Sequence, residues 1–185
     1  MLRALLKRTI EDMERKYAYD ASYMREVLDV SPWTFLRFGV VTTLGRGRRA
    51  PGVALAAAAL AGTLAEDCGP CTQISLDLAA EAGVPPAVLR GVLAGDEAAM
   101  GETAAVAWRF ARASLARDME ACDPLRDEIV RRWGKGGLVD ISMALTTARM
   151  YPTLKYAMGH GKACSRVTVA GQPAVLASAA RTLAA

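Results

Sequence analysis

An all-helical, single-domain fold follows from three observations on this chain. Only 6% of its 185 residues are aromatic while 52% are apolar, with alanine abundant, and that balance favours close-packed helices over a sheet, which draws on β-branched and aromatic side chains. Apolar residues recur mostly at helical spacing. Proline and glycine fall where helices start and stop. A chain of this length buries a substantial core as one domain, and no linker divides it.

The elements read in order as follows. Leu6, Ile10, Met13 and Tyr17 form an apolar stripe between charged residues, predicting an amphipathic helix that ends near Tyr19. Tyr23, Met24, Val27 and Leu28 mark a second, short helix entered at Asp20 or Ser22. Ser31 as N-cap and Pro32 at the first helical position open a third through about Thr43, whose Trp33, Phe35, Leu36 and Phe38 suit a core or a subunit interface. Pro51 starts a fourth, carrying Val53, Leu55, Leu60 and Leu64 in an alanine coat that lets neighbours approach from every side, so it is expected to be buried. The chain breaks at Cys68-Gly69-Pro70. The next helix carries Cys71, Ile74, Leu78 and Ala82 on one face and ends at Gly83 as a left-handed cap. After the Gly83-Val84-Pro85-Pro86 corner a two-turn helix runs to Gly95, and one long helix is expected over 97–117. Asp123-Pro124 opens a helix ending at Gly134, Gly136-Gly137 reads as a hinge, and a last long helix from Leu138 is expected to kink at Pro152 and stop at Gly159. Val167-Thr168-Val169 has strand character without an evident partner, and 173–183 reads as a small helix.

The formal net charge of +4 is spread along the chain, so no nucleic-acid footprint is expected; Arg46-Gly47-Arg48-Arg49 reads as a solvated loop. Lys7, Arg8, Glu11 and Asp12 interrupt the N-terminal apolar run before a secretory segment can form, and the stretch over 52–65 is too short and too alanine-rich to span a membrane. A cytoplasmic protein with no membrane contact is expected. In a reducing compartment the four cysteines point to catalysis or metal binding rather than to a disulfide framework.

Glu66-Asp67-Cys68-Gly69-Pro70-Cys71-Thr72-Gln73-Ile74-Ser75 concentrates the reactive groups. A Cys-x-x-Cys at a helix start supports a dithiol that closes to a reducible disulfide, because the helix end favours thiolate. Zinc is a second reading, but it needs two further ligands from His160, Cys164 and Cys122, far down the chain. Two inert buried thiols are a third. The letters Cys-Gly-Pro-Cys are those of the thioredoxin tetrapeptide, yet the preceding run is a helix former and not a strand. Glu66 and Asp67 could move protons or serve as capping and surface charge. Ser75, one turn beyond Cys71, could donate a hydrogen bond to a thiolate. His160, the only histidine, could supply a base or be an exposed helix-end residue. No cofactor and no metal are expected.

Over residues 50–160 the chain resembles the AhpD-like and carboxymuconolactone decarboxylase superfamily. The resemblance rests on Cys68-Gly-Pro-Cys71, the Ala-Glu-Ala-Gly83-Val-Pro corner, the "A-x-x-F-A-R-A" pattern within 104–113, Gly134 to Val139, and Tyr151-Pro-Thr-Leu-Lys-Tyr-Ala. It implies an AhpD-like helical bundle, assembled as a trimer or hexamer, that reduces hydroperoxides or a partner disulfide and works with a thiol-redox protein. By the same resemblance Cys71 would be the attacking thiolate and Cys68 the resolving thiol; the residues' own chemistry adds Glu66 and Ser75 to the candidate catalytic set. The family's usual His is replaced by Ser75 and its usual Glu by Ala56. Segment 1–49 would pack on the core or on a neighbouring subunit, and 161–185 would form a tail with a short helix. Alternatives within the resemblance are a cofactor-free lyase acting on a lactone acid, or a scaffold that keeps the fold without the chemistry.

Overall fold

A computed structural model describes residues 2–43, 47–161 and 167–176. The described residues are 78% helix, and among them are nine helices and one small two-stranded sheet. In order these are α1 (Leu2–Tyr17), α2 (Ser22–Val30), α3 (Pro32–Thr43), α4 (Gly52–Ala65), α5 (Gly69–Glu81), α6 (Pro86–Ala94), α7 (Glu97–Met100), α8 (Glu102–Ala116), α9 (Met119–Ala157), β1 (Thr168–Val169) and β2 (Gln172–Pro173). None of the helices described is long and apolar enough to cross a membrane.

The alanine-coated α4 is the hub, as its composition predicts. Ala54, Ala57, Ala58, Leu60 and Ala61 are buried, and α8 and α9 pack on it. Small side chains on α4 meet Ala104, Ala105, Val106, Phe110 and Ala111 of α8 and Ile129, Ile141 and Leu145 of α9, with van der Waals contact on both sides. A second cluster joins Ile10, Tyr19, Ala21, Tyr23, Met24 and Leu28 of the N-terminal segment to Ile74, Tyr151, Leu154 and Met158. The N-terminal helices thus lie on the core of their own chain, over the start of α5 and the end of α9.

Several boundaries differ from the sequence reading for identifiable reasons. The helix expected over 97–117 is two, because Gly101 (φ 71, ψ 157) turns the chain between α7 and α8. Asp123-Pro124 does not start a helix. Asp118 is the N-cap of α9, its carboxylate accepting from the Ala121 N–H, and Pro124 follows within the second turn. The break in α9 is at Gly134 (φ 69, ψ 176) and not at Gly136-Gly137, which are helical. At those two glycines a Cβ would come within 2.4 Å of Arg49 Cδ and of Trp133 Cβ, so they serve close packing. Pro152 is buried inside α9, and the helix continues through it to Ala157, Gly134 carrying the only non-helical angles within it. The face of α5 that is buried is Cys71, Thr72, Leu76 and Ala79, with Leu78 turned outward. Thr168–Val169 does find a partner, pairing antiparallel with Gln172–Pro173 across a turn in which Ala170 and Gly171 take positive φ. Pro173 therefore belongs to a strand, and most of the helix expected over 173–183 lies outside the described residues.

Gly134 occupies a region open essentially to glycine alone. Gly134→Ala is expected to destabilise the protein by about 1–3 kcal/mol, measured by urea denaturation; an unchanged midpoint would show that the two halves of α9 can rejoin without it.

Candidate functional site

The reactive turn is built by the end of α4 and the start of α5. Glu66 caps α4 and Asp67 takes a left-handed conformation (φ 49), which swings the chain so that Cys68 becomes the N-cap of α5 and Cys71 its third residue. Both cysteines are free thiols, close but unbridged, with relative exposures of 4% for Cys68 and 1% for Cys71.

The two sulfurs differ in charge preference. A hydrogen bond from the Cys71 thiol, the Cys71 backbone N–H and the Lys155 ammonium hold the Cys68 thiol down at about 6, against the opposing effect of burial. Donating to Cys68, together with burial and the nearness of a Cys68 thiolate, pushes the Cys71 thiol up, beyond the normal range. The hydrogen bond between the two sulfurs thus favours Cys68 as the thiolate and Cys71 as its donor.

Three tyrosines and a lysine close the site. Tyr19, in the α1–α2 connection, places its hydroxyl 3.7 Å from Cys71 Sγ and 3.2 Å from the Tyr23 hydroxyl. Burial raises the pKa of both phenols, so they stay neutral donors. Tyr156 donates to the Asp67 carbonyl at 3.0 Å and lies beside Cys68. Lys155, 1% exposed, has its Nζ 5.3 Å from the Tyr19 ring centroid and without a hydrogen-bond partner among the described residues.

Of the other residues singled out in the sequence, Glu66 faces Arg149, whose Nε donates to it at 2.6 Å, and no hydrogen bond joins it to either sulfur. Asp67 is exposed and contributes its carbonyl. Ser75 is partly buried on α5 and forms no hydrogen bond to a thiol among the described residues. His160 accepts or donates at Ser22 Oγ (2.9 Å) and Glu26 Oε2 (2.8 Å), packing near Tyr23 rather than reaching the sulfurs. Cys122 lies apart, against Ser114. Cys164 and Arg46 lie outside the described residues. Arg49 is fixed to Asp140 through its backbone N–H at 2.8 Å, so that part of the basic loop is anchored. Among the described residues no group of three or more His, Cys, Asp or Glu side chains gathers in a way that could hold a metal ion. An apolar groove of about 690 Å³ runs between α3, α8 and α9, lined by Phe38, Leu115, Leu145, Arg149 and Leu154 among others.

Sequence reasoning missed Lys155 and the tyrosine cover. A signal was present for the lysine: Ile141, Leu145, Ala148, Pro152 and Lys155 form one helical stripe, so a cation stands where an apolar residue is expected. Tyr19 and Tyr23 carried no such mark, because their place over the thiols depends on how α1 and α2 fold back. No family model, no curated protein and no solved structure matches the chain.

Proposed function

We propose that this protein is a thiol oxidoreductase in which Cys68 and Cys71 alternate between dithiol and disulfide, in the manner of the AhpD-like proteins it resembles. The observation that carries the reading is the close, unbridged pair of buried thiols at a helix start, Cys68 at the N-cap of α5 and Cys71 in its first turn, where the Cys71 thiol and the Lys155 ammonium favour Cys68 as the thiolate. The resemblance gives the attack to Cys71. The local electrostatics favour the reverse assignment, which we adopt.

In the oxidative half, the Cys68 thiolate attacks the terminal oxygen of a hydroperoxide. An S–O bond forms, the O–O bond breaks, and the leaving alkoxide takes a proton from water or a site donor. Cys71 sulfur then attacks the sulfenic acid, an S–S bond forms, and the hydroxyl leaves as water with the Cys71 proton. A dithiol on a partner protein returns the two electrons. Burial of both sulfurs suits a small hydroperoxide in the first half better than a bulky protein disulfide.

A lyase acting on a lactone acid would need an arginine free to bind that acid, and the groove-lining Arg149 is engaged by Glu66. Self-association into a trimer or hexamer fits α3, which has no buried residue although it carries Trp33, Phe35 and Val40. A reducing, cytoplasmic setting fits the free thiols.

The test is a titration of free thiols before and after a peroxide pulse. The wild type is expected to lose Cys68 and Cys71 together to one internal disulfide, Cys71→Ser to stop at a sulfenic acid on residue 68 that dimedone traps, and Cys68→Ser to keep its remaining thiol. Persistence of both thiols in the wild type overturns the reading and leaves a scaffold.

A further inference from the structure

Lys155 is a buried cation with no hydrogen-bond partner among the described residues. Burying a charge without compensation is strongly unfavourable, and a position that keeps one commonly does so for function. Its visible compensation is the face of the Tyr19 ring, centroid 5.3 Å away. Other titratable groups of the cluster are Asp20, beside Tyr19 in the α1–α2 connection, and Tyr23 on α2; Asp67, Cys68 and Cys71 at the α4–α5 turn; and Tyr151, Tyr156 and His160 at the end of the chain segment that carries Lys155. The Asp20 carboxylate is held first by the N–H and hydroxyl of Ser22 and is a remote counter-charge. The phenols of Tyr19, Tyr23 and Tyr156 are neutral, held up chiefly by burial. What remains as a buried anion for the ammonium is a thiolate.

We propose that Lys155 is the positioning cation of the dithiol: its ammonium holds Cys68 as thiolate in the reduced protein and loses that partner when the Cys68–Cys71 disulfide forms. This rests on the dithiol cycle proposed above. In the reduced state the ammonium acts on the Cys68 thiolate through its field; in the oxidised state the buried lysine is left without that anion, beside an uncharged disulfide. Stabilising the reduced form makes the disulfide more oxidising and easier for a partner dithiol to reduce, with two electrons passing from that dithiol to the S–S bond.

Two measurements on the full-length chain test it, using wild type, Lys155→Met, Lys155→Gln and Lys155→Arg. The first is the pH dependence of Cys68 alkylation by iodoacetamide, read by peptide mass spectrometry. The second is the dithiol–disulfide equilibrium against glutathione. Loss of the charge is expected to raise the alkylation midpoint by about one pH unit or more and to shift the equilibrium towards the disulfide by about tenfold, equal to about 30 mV. Lys155→Arg is expected to restore most of both. Thermal stability of the oxidised, disulfide form is expected to be unchanged or higher in Lys155→Met, since there the buried charge that is removed has no compensating anion; if that variant fails to fold, Lys155→Gln carries the same comparison. A folded neutral variant with the wild-type midpoint and equilibrium overturns the proposal. Should the wild type form no internal disulfide, the redox cycle fails, and the alkylation midpoint still decides whether Lys155 governs the Cys68 charge.

Discussion

Cys71→Ala is expected to move the pH midpoint of Cys68 alkylation from about 6 towards about 8.5, the ordinary thiol value. Alanine is the informative choice, because serine would still present a hydroxyl donor to the sulfur. The rate does not simply fall. At pH 6 a thiol of pKa about 8.5 is on the order of 0.3% ionised, against about half for the wild type, a deficit of more than a hundredfold. The more basic thiolate is intrinsically the better nucleophile, which returns about tenfold. The variant should therefore react about tenfold more slowly at pH 6 and a few-fold faster above pH 8, the two profiles crossing at about pH 7.5. Parallel profiles without a crossing would show that Cys71 does not supply the hydrogen bond that makes Cys68 acidic.

Tyr23→Ala is expected to cost about 3–5 kcal/mol, the range for deleting a large aromatic side chain from a core, and to expose the thiols. Tyr23 is fully buried and meets Tyr19 edge to face, with ring centroids 6.5 Å apart. Its removal hollows the second cluster, which holds the α1–α2 segment down. Tyr19 then loses its hydroxyl partner, and the cover over Cys71 loosens. Urea denaturation would report the stability, and the rate of reaction with a bulky aromatic disulfide would report the opening. Tyr23→Phe keeps the ring and loses the hydrogen bond, so about 1 kcal/mol is expected. Equal thiol reactivity in the wild type and Tyr23→Ala would mean that the sulfurs are reached from another side.

Local chemistry was legible in the sequence wherever one residue decides the backbone. Ser31-Pro32 starts α3, with the Thr34 N–H on the Ser31 hydroxyl, and Gly83 and Gly95 stop their helices with positive φ. The alanine coat of α4 foretold its central position because small residues on all faces leave only helix contacts to satisfy. What failed was choice among similar signals. Gly134 reads as a helix end and is one, but Gly101, which divides 97–117, reads as part of one long helix, and Gly136-Gly137, which read as a hinge, stay helical against Arg49 and Trp133. Asp123-Pro124 copies a helix start, yet Asp118 lies closer to the turn after α8 and captures the cap.

At the candidate site the thiols were evident from their spacing, and their partners were not. Glu66 stands next to the cysteines in sequence, but Arg149 arrives from the far end of α9 and engages it. Ser75 lies one turn from Cys71 without bonding to it. Lys155 and Tyr19 approach from opposite ends of the chain, so their meeting is a tertiary fact.

The turn carrying Cys68 is held unequally on its two sides. Towards α9 it is fastened by Arg149 to Glu66 and by Tyr156 to the Asp67 carbonyl, while Gln73 further along α5 grips the backbone of Thr168 at both N–H and carbonyl. Towards α1 and α2 it meets chiefly rings. Backbone hydrogen exchange should therefore divide the molecule into two cooperative units: amides of α4, α8 and α9 exchanging only with global unfolding, and those of α1 and α2 exchanging earlier, in a partial opening that uncovers sulfur while the scaffold beneath it stays closed.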